Sequence, residues 1–465
     1  MKRIFLFIAS ILMLNSLQAQ LEEDALRFSS FGLNGTANYI SKAGAIGALG
    51  GDITSASYNP AGLGLFSSSE FSMSLGYFGS FTESISAGNK LNENRSNMNF
   101  GGIGAVFNFG NPNGNFKNTQ FTYALNRLKS FGNRTVYERD NVASSYISYI
   151  IDNYSYDKVF MHDFFESYVL DYDTTLGVYT SAFQTGNFSQ IRTFTESGTI
   201  NEMTFSLSTN YQDLLYLGAT IGVPIAEYHR HLSFSESKLD VNGKPTNTYI
   251  YNETYDLFAS GVNFKAGLIA KPVQFLRLGV AVHTPTFYSI EDKLYSEVDY
   301  ERVVGGSWKP IIYDLHTPFR FLGSAALVFG EKDSPIKGTL SADYEYANYS
   351  YMKFRRNTIQ DLGLNRSIES MFRATNTFRV AGELKIGNLA LRAGYANMGN
   401  PYEKSINDDS REYFTGGIGI RNKHFLLDFA YAYSTGNSFY TEYDYERIEL
   451  NNSRHIAQVT LGFRF

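Results

Sequence analysis

The sequence predicts an all-β fold, a transmembrane antiparallel β-barrel of about 14 strands with an N-terminal plug in its lumen. Three observations lead to this prediction: an export signal at the start, a two-residue hydrophobic alternation along most of the chain, and connections that alternate between short and long. The composition agrees, since 34 Tyr, 38 Phe and 41 Gly among 465 residues are typical of a β-rich chain.

Residues 1–19 are expected to form a cleaved signal peptide. Lys2 and Arg3 provide its positive start, an apolar core runs from Ile4 to Leu14, and a cleavage box ends at Ala19. The apolar core is too short to anchor the chain in a bilayer, and no later stretch approaches the roughly 18 apolar residues that a membrane helix needs. The mature chain is therefore expected to be exported without a helical anchor.

Residues 20–67 are expected to form a plug, which we call the hatch. This segment is rich in Gly, Ala and Ser and lacks the alternation of the rest of the chain. A barrel of about 14 strands is too wide to be filled by its own wall side chains, so another segment must close it. The alternative is a periplasmic extension that lies outside the barrel.

Residues 68–465 are expected to form the barrel itself. Apolar residues recur at every second position, which is the period of a β-strand, and the opposite face carries small residues and charges of both signs. That polar face suits a water-filled or plugged lumen. A soluble β-protein with a tyrosine-rich core is the alternative. The pattern is clearest at 71–77, 215–225, 276–282, 378–386 and 457–465.

The connections between the predicted strands indicate how the barrel lies in a membrane. Short turns on one side and long loops on the other are typical of outer-membrane barrels, and their number implies 14 strands. The short turns are expected near 110–114, 212–213, 271–272, 332–335, 387–388 and 422–423. The long extracellular connections are expected near 80–97, 131–199, 235–255, 290–316, 350–374, 398–411 and 436–452, with 131–199 the longest.

The composition excludes several classes of function. The chain has no Cys, which excludes a disulfide scaffold, a structural cysteine–zinc site and a thiol nucleophile. Its formal net charge of -5 argues against nucleic acid as a partner. His283 is the strongest in-strand candidate for a hydrolase triad, and no Gly-x-Ser-x-Gly elbow accompanies it. We predict no enzyme activity, no catalytic residue and no cofactor.

Charged residues on the predicted lumen face are expected to pair with one another and with the hatch, because poorly hydrated charges must be matched. An arginine there could instead hold an anionic ligand head such as a carboxylate. The candidates for contact with a ligand head or the hatch are Arg277, His283, Arg320 and Arg379. The other predicted lumen charges are Lys265, Asp343, Glu345, Glu383, Lys385, Arg392, Arg421, Asp428 and Arg464.

Glu227, His229 and His231 share one strand face and could in principle ligate a metal or a haem iron. They continue the outward face of their strand beyond its apolar part. A solvated extracellular strand end is the favoured interpretation, and no metal site is predicted.

The longest connection contains aromatic residues at helical spacing. Phe160, Phe164, Phe165 and Tyr168 are candidates for an apolar groove that catches a hydrophobic ligand. The alternative is that they pack the loop down onto the barrel.

Residues 36–64, with Asn59-Pro60-Ala61 just before the first predicted strand, resemble the hatch of the FadL/TodX family of outer-membrane transporters. The stretches 264–272, 277–279 and 283–288 resemble the Bacteroidetes branch, whose members are often labelled haemin receptors or hydrocarbon transporters. The terminal residues 461–465 resemble the signal that the barrel-assembly machinery reads at a final aromatic, here Phe465.

This resemblance implies a protein of the Gram-negative outer membrane that passively admits long-chain fatty acids or aromatic hydrocarbons. A loop groove would catch the ligand, and a hatch gated around Asn59, Pro60 and Ala61 would admit it, often sideways through the wall. The implied partners are a hydrophobic ligand, membrane lipid and the assembly machinery, for a monomeric protein. The alternatives are a haem receptor, a secretion-associated (type IX-like) hatch-bearing barrel that binds proteins, and a general porin.

Overall fold

The computed structural model describes residues 15–111, 113–330, 334–355, 359–403 and 406–465. Most of the predicted signal peptide, residues 1–14, and part of the predicted turns at 110–114 and 332–335 therefore lie outside the described residues. Among the residues described, no helix is both long enough and apolar enough to cross a membrane.

The N-terminal segment is helical where it is regular. Helix α1 spans Asn15–Ser29 and helix α2 spans Ala37–Ser41, followed by two 3₁₀ helices at Ile53–Ser57 and Pro60–Leu65. Each of the last three begins at a polar cap, since Thr36, Asp52 and Asn59 accept hydrogen bonds from the backbone N–H groups two or three residues ahead. The cap residues therefore set the turns of this compact segment.

Twenty-one strands follow in the part of the chain that the structure describes, with three helices and one 3₁₀ helix in the connections. The first strands are β1 (Glu70–Ser86), β2 (Asn89–Gly110), β3 (Phe116–Ser130), β4 (Asn133–Val142), β5 (Asp171–Asp173), β6 (Val178–Thr180), β7 (Phe188–Tyr211), β8 (Leu215–Leu239) and β9 (Pro245–Val273). The next are β10 (Leu276–His283), β11 (Phe287–Asp299), β12 (Val303–Ser307), β13 (Ile311–His316), β14 (Arg320–Phe329), β15 (Ile336–Asn348) and β16 (Lys353–Arg355). The last are β17 (Ala374–Ile386), β18 (Leu389–Met398), β19 (Arg411–Arg421), β20 (Phe425–Thr441) and β21 (Arg447–Arg464). The helices are α3 (Tyr146–Tyr154), α4 (Lys158–Glu166) and α5 (Ile359–Met371), and the 3₁₀ helix spans Tyr349–Tyr351.

Fourteen of these strands close into an antiparallel barrel, which confirms the predicted fold class and strand number. The order around the wall is β1, β2, β3, β7, β8, β9, β10, β14, β15, β17, β18, β19, β20 and β21, and β21 pairs back with β1. Strands β4, β11, β13 and β16 continue the wall beyond the ends of the neighbouring barrel strands β3, β10, β14 and β15. Strands β5 and β6 form a separate small hairpin in the longest connection.

The predicted apolar faces point outward. Phe71, Leu217, Val280, Phe378 and Leu461 are all exposed on the outside of the barrel, each in a different strand. Inward positions between them are polar or small, as in Ser72, Thr220, His283 and Gln458. An exposed apolar belt around a closed barrel is the surface that lipid tails cover.

Several predicted extracellular loops are in fact strand. The connections expected at 80–97, 235–255 and 436–452 are continuous hairpins, and the turn between β1 and β2 contains only Ala87 and Gly88. The predicted turn at 271–272 lies three residues later, at 274–275. The prediction ended each strand where its hydrophobic alternation stopped, but backbone pairing continues above the level of the membrane, where neither face needs to be apolar.

Two neighbouring wall strands are interrupted at prolines. Pro285 separates β10 from β11, and Pro318 separates β13 from β14. Proline cannot donate to the ladder. Threonine hydroxyls replace the lost bonds, since Thr317 Oγ1 accepts from the Thr286 N–H at 2.8 Å. The 3₁₀ helix after β15 lies next to this interruption and turns Tyr349 into the lumen.

Candidate functional site

The hatch lies inside the barrel. The Ala37 N–H donates to Thr460 Oγ1 at 2.7 Å, and the Gly47 N–H donates to Asp343 Oδ2 at 2.8 Å. Thr460 is on β21 and Asp343 is on β15, several strands away around the wall. A segment bonded to inward-facing side chains on such separate parts of the wall must fill the lumen between them.

The Asn-Pro-Ala tripeptide packs closely against two glycines of the barrel wall. Gly218 and Gly267 are directly paired across β8 and β9. A Cβ atom on Gly218 would lie 2.3 Å from the Pro60 backbone, and one on Gly267 would lie 1.9 Å from Asn59 Oδ1. Only glycine therefore allows this approach of hatch to wall.

Asn59 also holds the hatch to itself. Its Nδ2 donates to the Gly47 carbonyl at 2.7 Å, and its Oδ1 accepts from the Ala61 N–H at 3.2 Å. The side chain thus ties the start of the second 3₁₀ helix to the glycine-rich turn that Asp343 holds on the wall. The tripeptide therefore connects two parts of the hatch, the second 3₁₀ helix and the turn at Gly47.

The four predicted lumen contacts all reach the N-terminal segment. Arg277 donates to the Leu49 carbonyl at 3.2 Å, and His283 Nε2 contacts the Tyr58 carbonyl at 2.7 Å. Arg379 donates to the Tyr58 hydroxyl, and Arg320 donates to the Ser29 carbonyl at the end of α1. The structure therefore brings all four to the boundary between hatch and wall.

The other predicted lumen charges form ion pairs, except Asp343, which accepts from the Gly47 N–H. Glu345 lies between two arginines, Arg320 and Arg379, with the second at 2.7 Å. Lys42 is the hatch residue that joins these pairs, at 3.1 Å from Glu383. The remaining pairs are Lys265–Glu202, Lys385–Glu383, Arg392–Glu383, Arg392–Asp428, Arg421–Asp428 and Arg464–Glu70.

A cavity of about 160 Å³ remains between the hatch, the end of α1 and the wall. Its lining includes Phe31, Tyr39, Tyr58, Tyr349 and Tyr413, so it has apolar surface for a ligand body. Its charged lining residues are Arg127, Lys129, Arg320, Glu345, Arg379, Asp409, Arg411 and Arg454.

Five of these charged residues were not predicted as candidates, namely Arg127, Lys129, Asp409, Arg411 and Arg454. Arg127, Lys129 and Arg411 lie at the margins of predicted loops, and Arg454 lies just after one. The positions of the four basic residues in the sequence could have identified them, because they lie where the hydrophobic alternation of their strands ends. Inward side chains at that level meet the top of the hatch.

Next to this cavity the barrel wall loses its backbone pairing. Strands β2 and β3 are paired only up to Gly102 and Asn126. Above that level β2 pairs with β1, while β3 and β4 pair with β7. In the described residues no backbone–backbone hydrogen bond crosses the gap, and β4 packs against β1 and β2 through contacts that involve side chains. One contact across it joins Ser130 Oγ to Asn99 Oδ1 at 3.4 Å. The cavity residues Arg127 and Lys129 lie at the lower edge of this gap.

The candidate groove residues divide into two groups. Phe164 is 1% exposed and packs on Tyr251, with ring centroids 5.6 Å apart, so it belongs to the core of the loop. Phe160 is partly buried beside it. Phe165 and Tyr168 are 41% and 56% exposed and face solvent on the extracellular side.

The possible metal ligands lie away from the lumen. His229 Nδ1 is 2.7 Å from Asp256 Oδ1, and His231 Nδ1 is 3.3 Å from Thr254 Oγ1. Both rings are exposed on the outer face of β8. A search of the described residues finds no group of three His, Cys, Asp or Glu side chains that could hold a metal ion.

Comparison with known proteins identifies the fold. No protein-family profile and no curated protein sequence matches the chain. A solved Pseudomonas aeruginosa FadL homologue is similar, with a TM-score of 0.59 and 14% identity over 94% of this chain and 99% of that one. The Pseudomonas putida toluene transporter TodX has a TM-score of 0.57 and 12% identity over 93% and 99%. The CymD monoaromatic hydrocarbon channel has a TM-score of 0.54 and 12% identity over 94% and 99%.

At these identities the likeness establishes the fold. The chain has the closed 14-strand fold of the FadL/TodX-type outer-membrane channels, over nearly its whole length. The predicted fold type is thereby confirmed, while the Bacteroidetes branch stays a prediction.

Proposed function

We propose that this protein is an outer-membrane channel of a Gram-negative bacterium that passively admits hydrophobic small molecules. The observation that carries the proposal is the cavity beside the unpaired part of the wall, because a ligand space next to such a part of the wall suits passage towards the bilayer. The similar structures support the substrate class, because they are a toluene transporter, a monoaromatic hydrocarbon channel and a FadL homologue. Long-chain fatty acids and aromatic hydrocarbons are the two candidate substrates.

The proposed path begins at the extracellular loops. Phe165 and Tyr168 offer exposed aromatic surface where a hydrophobic ligand can first partition. Helix α1 lies below this surface, with Ala25, Leu26 and Phe28 packed in the upper lumen core. Displacement of α1 would open the way from the loops to the cavity.

The hatch is proposed to gate the passage. Polar contacts hold it at Asn59, Asp343 and Thr460, and such contacts can exchange for others when the segment moves. The gap above Gly102 and Asn126 then gives a lateral exit, so that an apolar ligand reaches the membrane without crossing water. No energy input is needed for this route.

The test compares uptake by cells that carry the gene with uptake by a deletion strain, using radiolabelled oleate and toluene. We expect the deletion to lower the rate for at least one of them and complementation to restore it. Lipid extracts of the purified protein should contain the same class of compound. If neither uptake changes and no apolar compound co-purifies, the proposed function is wrong.

The alternatives predict different results. A haem receptor would shift the Soret band of added haemin, and a secretion-associated barrel would retain protein partners in a pull-down. A general porin would conduct ions strongly in planar bilayers. We expect none of these results.

Phe465 stays the predicted contact for the assembly machinery. It is 71% exposed at the end of β21.

A further inference from the structure

The charges of the lumen cavity are strongly unbalanced. Its lining contains six basic side chains and two acidic ones, a formal excess of four positive charges. Glu345 is already engaged by Arg320 and Arg379. The other acidic residue, Asp409, forms no ion pair among the described residues. Elsewhere in the lumen most basic side chains have carboxylate partners, so this excess is local to the cavity.

The four remaining cations form no ion pair among the described residues, and their hydrogen bonds go to neutral groups. Arg127 donates to Asn201 Oδ1 at 2.6 Å and to Ser130 Oγ at 3.2 Å. Lys129 donates to Ser30 Oγ at 2.6 Å and to the Arg27 carbonyl at 3.1 Å, near the C-terminus of α1.

The other two cations are held still more weakly. Arg411 is 7% exposed, and its nearest polar side-chain partner is Ser434 Oγ at 3.5 Å. Arg454 stacks over the Phe78 ring at 6.0 Å from its centroid. Among the described residues neither of them forms an ion pair.

Arg411 is buried, and Arg127, Lys129 and Arg454 are half-buried. Enclosed cations without a paired carboxylate are costly, and they persist where a bound anion compensates them. One carboxylate neutralises one charge and leaves most of this excess in place. A phosphate monoester carries nearly two negative charges at neutral pH and three acceptor oxygens, which match several arginine and lysine donors at once. Aromatic lining residues such as Tyr39, Tyr349 and Tyr413 accommodate the apolar part of such a molecule.

We propose that this cavity, lined by Arg127, Lys129, Arg411 and Arg454, binds the doubly charged phosphate-monoester head of an amphiphile. The proposal rests on the proposed function, because it takes the same cavity as the ligand site of the channel. It goes further in assigning the head-group chemistry and the four residues that recognise it.

The experiment measures binding to the full-length mature protein in nanodiscs, with empty nanodiscs as the blank. The probes are dodecyl phosphate, dodecyl sulfonate with a single charge, uncharged dodecanol, and inorganic phosphate, all near pH 8, above the second phosphate pKa of about 6. We expect dodecyl phosphate to bind about tenfold more tightly than the sulfonate, because the second charge finds its own donors. Dodecanol and inorganic phosphate should bind far more weakly.

Variants then test the site. Arg411→Gln combined with Arg454→Gln should remove the preference for phosphate over sulfonate and leave dodecanol binding unchanged. Arg302→Gln is the matched control, since Arg302 is exposed in an extracellular connection. The double variant should fold with at least the stability of the wild type, because it removes uncompensated like charges.

The outcomes separate the two proposals. Equal binding of dodecyl phosphate and dodecyl sulfonate overturns the head-group assignment and leaves the channel function standing. Equal binding of inorganic phosphate and dodecyl phosphate shows a simple anion site and also overturns it. If no alkyl compound binds at all, the channel function itself loses its ligand site.

Discussion

At the residue scale, the close packing of the hatch against the wall depends on two glycines. A Cβ on Gly218 meets backbone atoms of Pro60, which cannot move aside as a side chain could. We expect Gly218→Ala to lift the hatch from β8 and β9, lower stability by about 1–3 kcal/mol and raise ion conductance.

Planar-bilayer conductance and heat-induced unfolding on gels measure this effect. Gly323→Ala is the control, because no atom lies within 4 Å of its added Cβ. An unchanged conductance in Gly218→Ala would contradict the close approach of hatch and wall.

Also at the residue scale, Glu345 balances two arginines in the lumen. Glu345→Gln leaves Arg320 and Arg379 buried without a carboxylate, and breaking such a pair costs about 3–5 kcal/mol. Urea unfolding from liposomes should therefore occur at lower urea. Glu291→Gln removes an exposed pair with Lys293 and should change little. Equal midpoints for both variants would show that the lumen is well hydrated.

Sequence reasoning at this scale succeeded for residues within clear alternation and failed elsewhere. Arg277, His283, Arg320 and Arg379 were recognised because each follows an apolar neighbour in a strand. Which partner each would meet was not predictable, since the hatch is distant in sequence from the strands that it contacts. Arg411 was missed because it borders a polar connection, where the side-chain period does not show which face is inward.

At the element scale, docking of α1 should depend on pH. Burial raises the pKa of Glu22 from 4.5 to about 7, against a smaller opposing effect of its hydrogen bond with Ser367 in α5. A carboxyl group with a raised pKa stabilises the docked state when protonated. That contribution is complete below about pH 4.5 and is lost as the pH rises through about 7.

A spin label tests this expectation, because the chain has no Cys and a single introduced one is unique. A label at Glu23→Cys should be more mobile at pH 8 than at pH 5, on account of the charge on Glu22. Adding Glu22→Gln should keep the label immobile at both values. The same line shape at both values in the parent protein would rule out a role for Glu22.

Also at the element scale, the gap between β2 and β4 should be the exit. A Cβ on Gly132 would lie 2.3 Å from Asn97 Nδ2, so cysteines at these positions are within disulfide reach. We expect the Asn97→Cys and Gly132→Cys pair to lower ligand uptake when oxidised and to recover on reduction. The control pair is Phe107→Cys with Phe121→Cys, which are directly opposite in the paired part of the wall. Undiminished uptake in the oxidised first pair would exclude the lateral route.

At the scale of the whole molecule, the barrel is closed and the hatch lies inside its lumen. We expect the intact protein to conduct few ions, and deletion of residues 20–67 to open a stable pore, because the wall strands pair with one another independently of the hatch. Single-channel recordings compare the two proteins. If the deleted protein also fails to conduct, other segments must close the lumen.

The number of strands was predictable at this scale because lipid imposes a strict rule on one face of every strand. The height of the wall was not, because water imposes no such rule above the membrane. The hairpins at 80–97, 235–255 and 436–452 therefore look like loops in the sequence, although their backbones remain paired.

Strand β9 is 29 residues long, which corresponds to about 95 Å of extended chain at about 3.3 Å per residue. Even with a tilt of about 40°, it rises about 70 Å, compared with an apolar band of about 25 Å. The extracellular rim of the barrel therefore stands far above the apolar band of the bilayer. A sparingly soluble molecule can meet this rim before it reaches the bilayer surface.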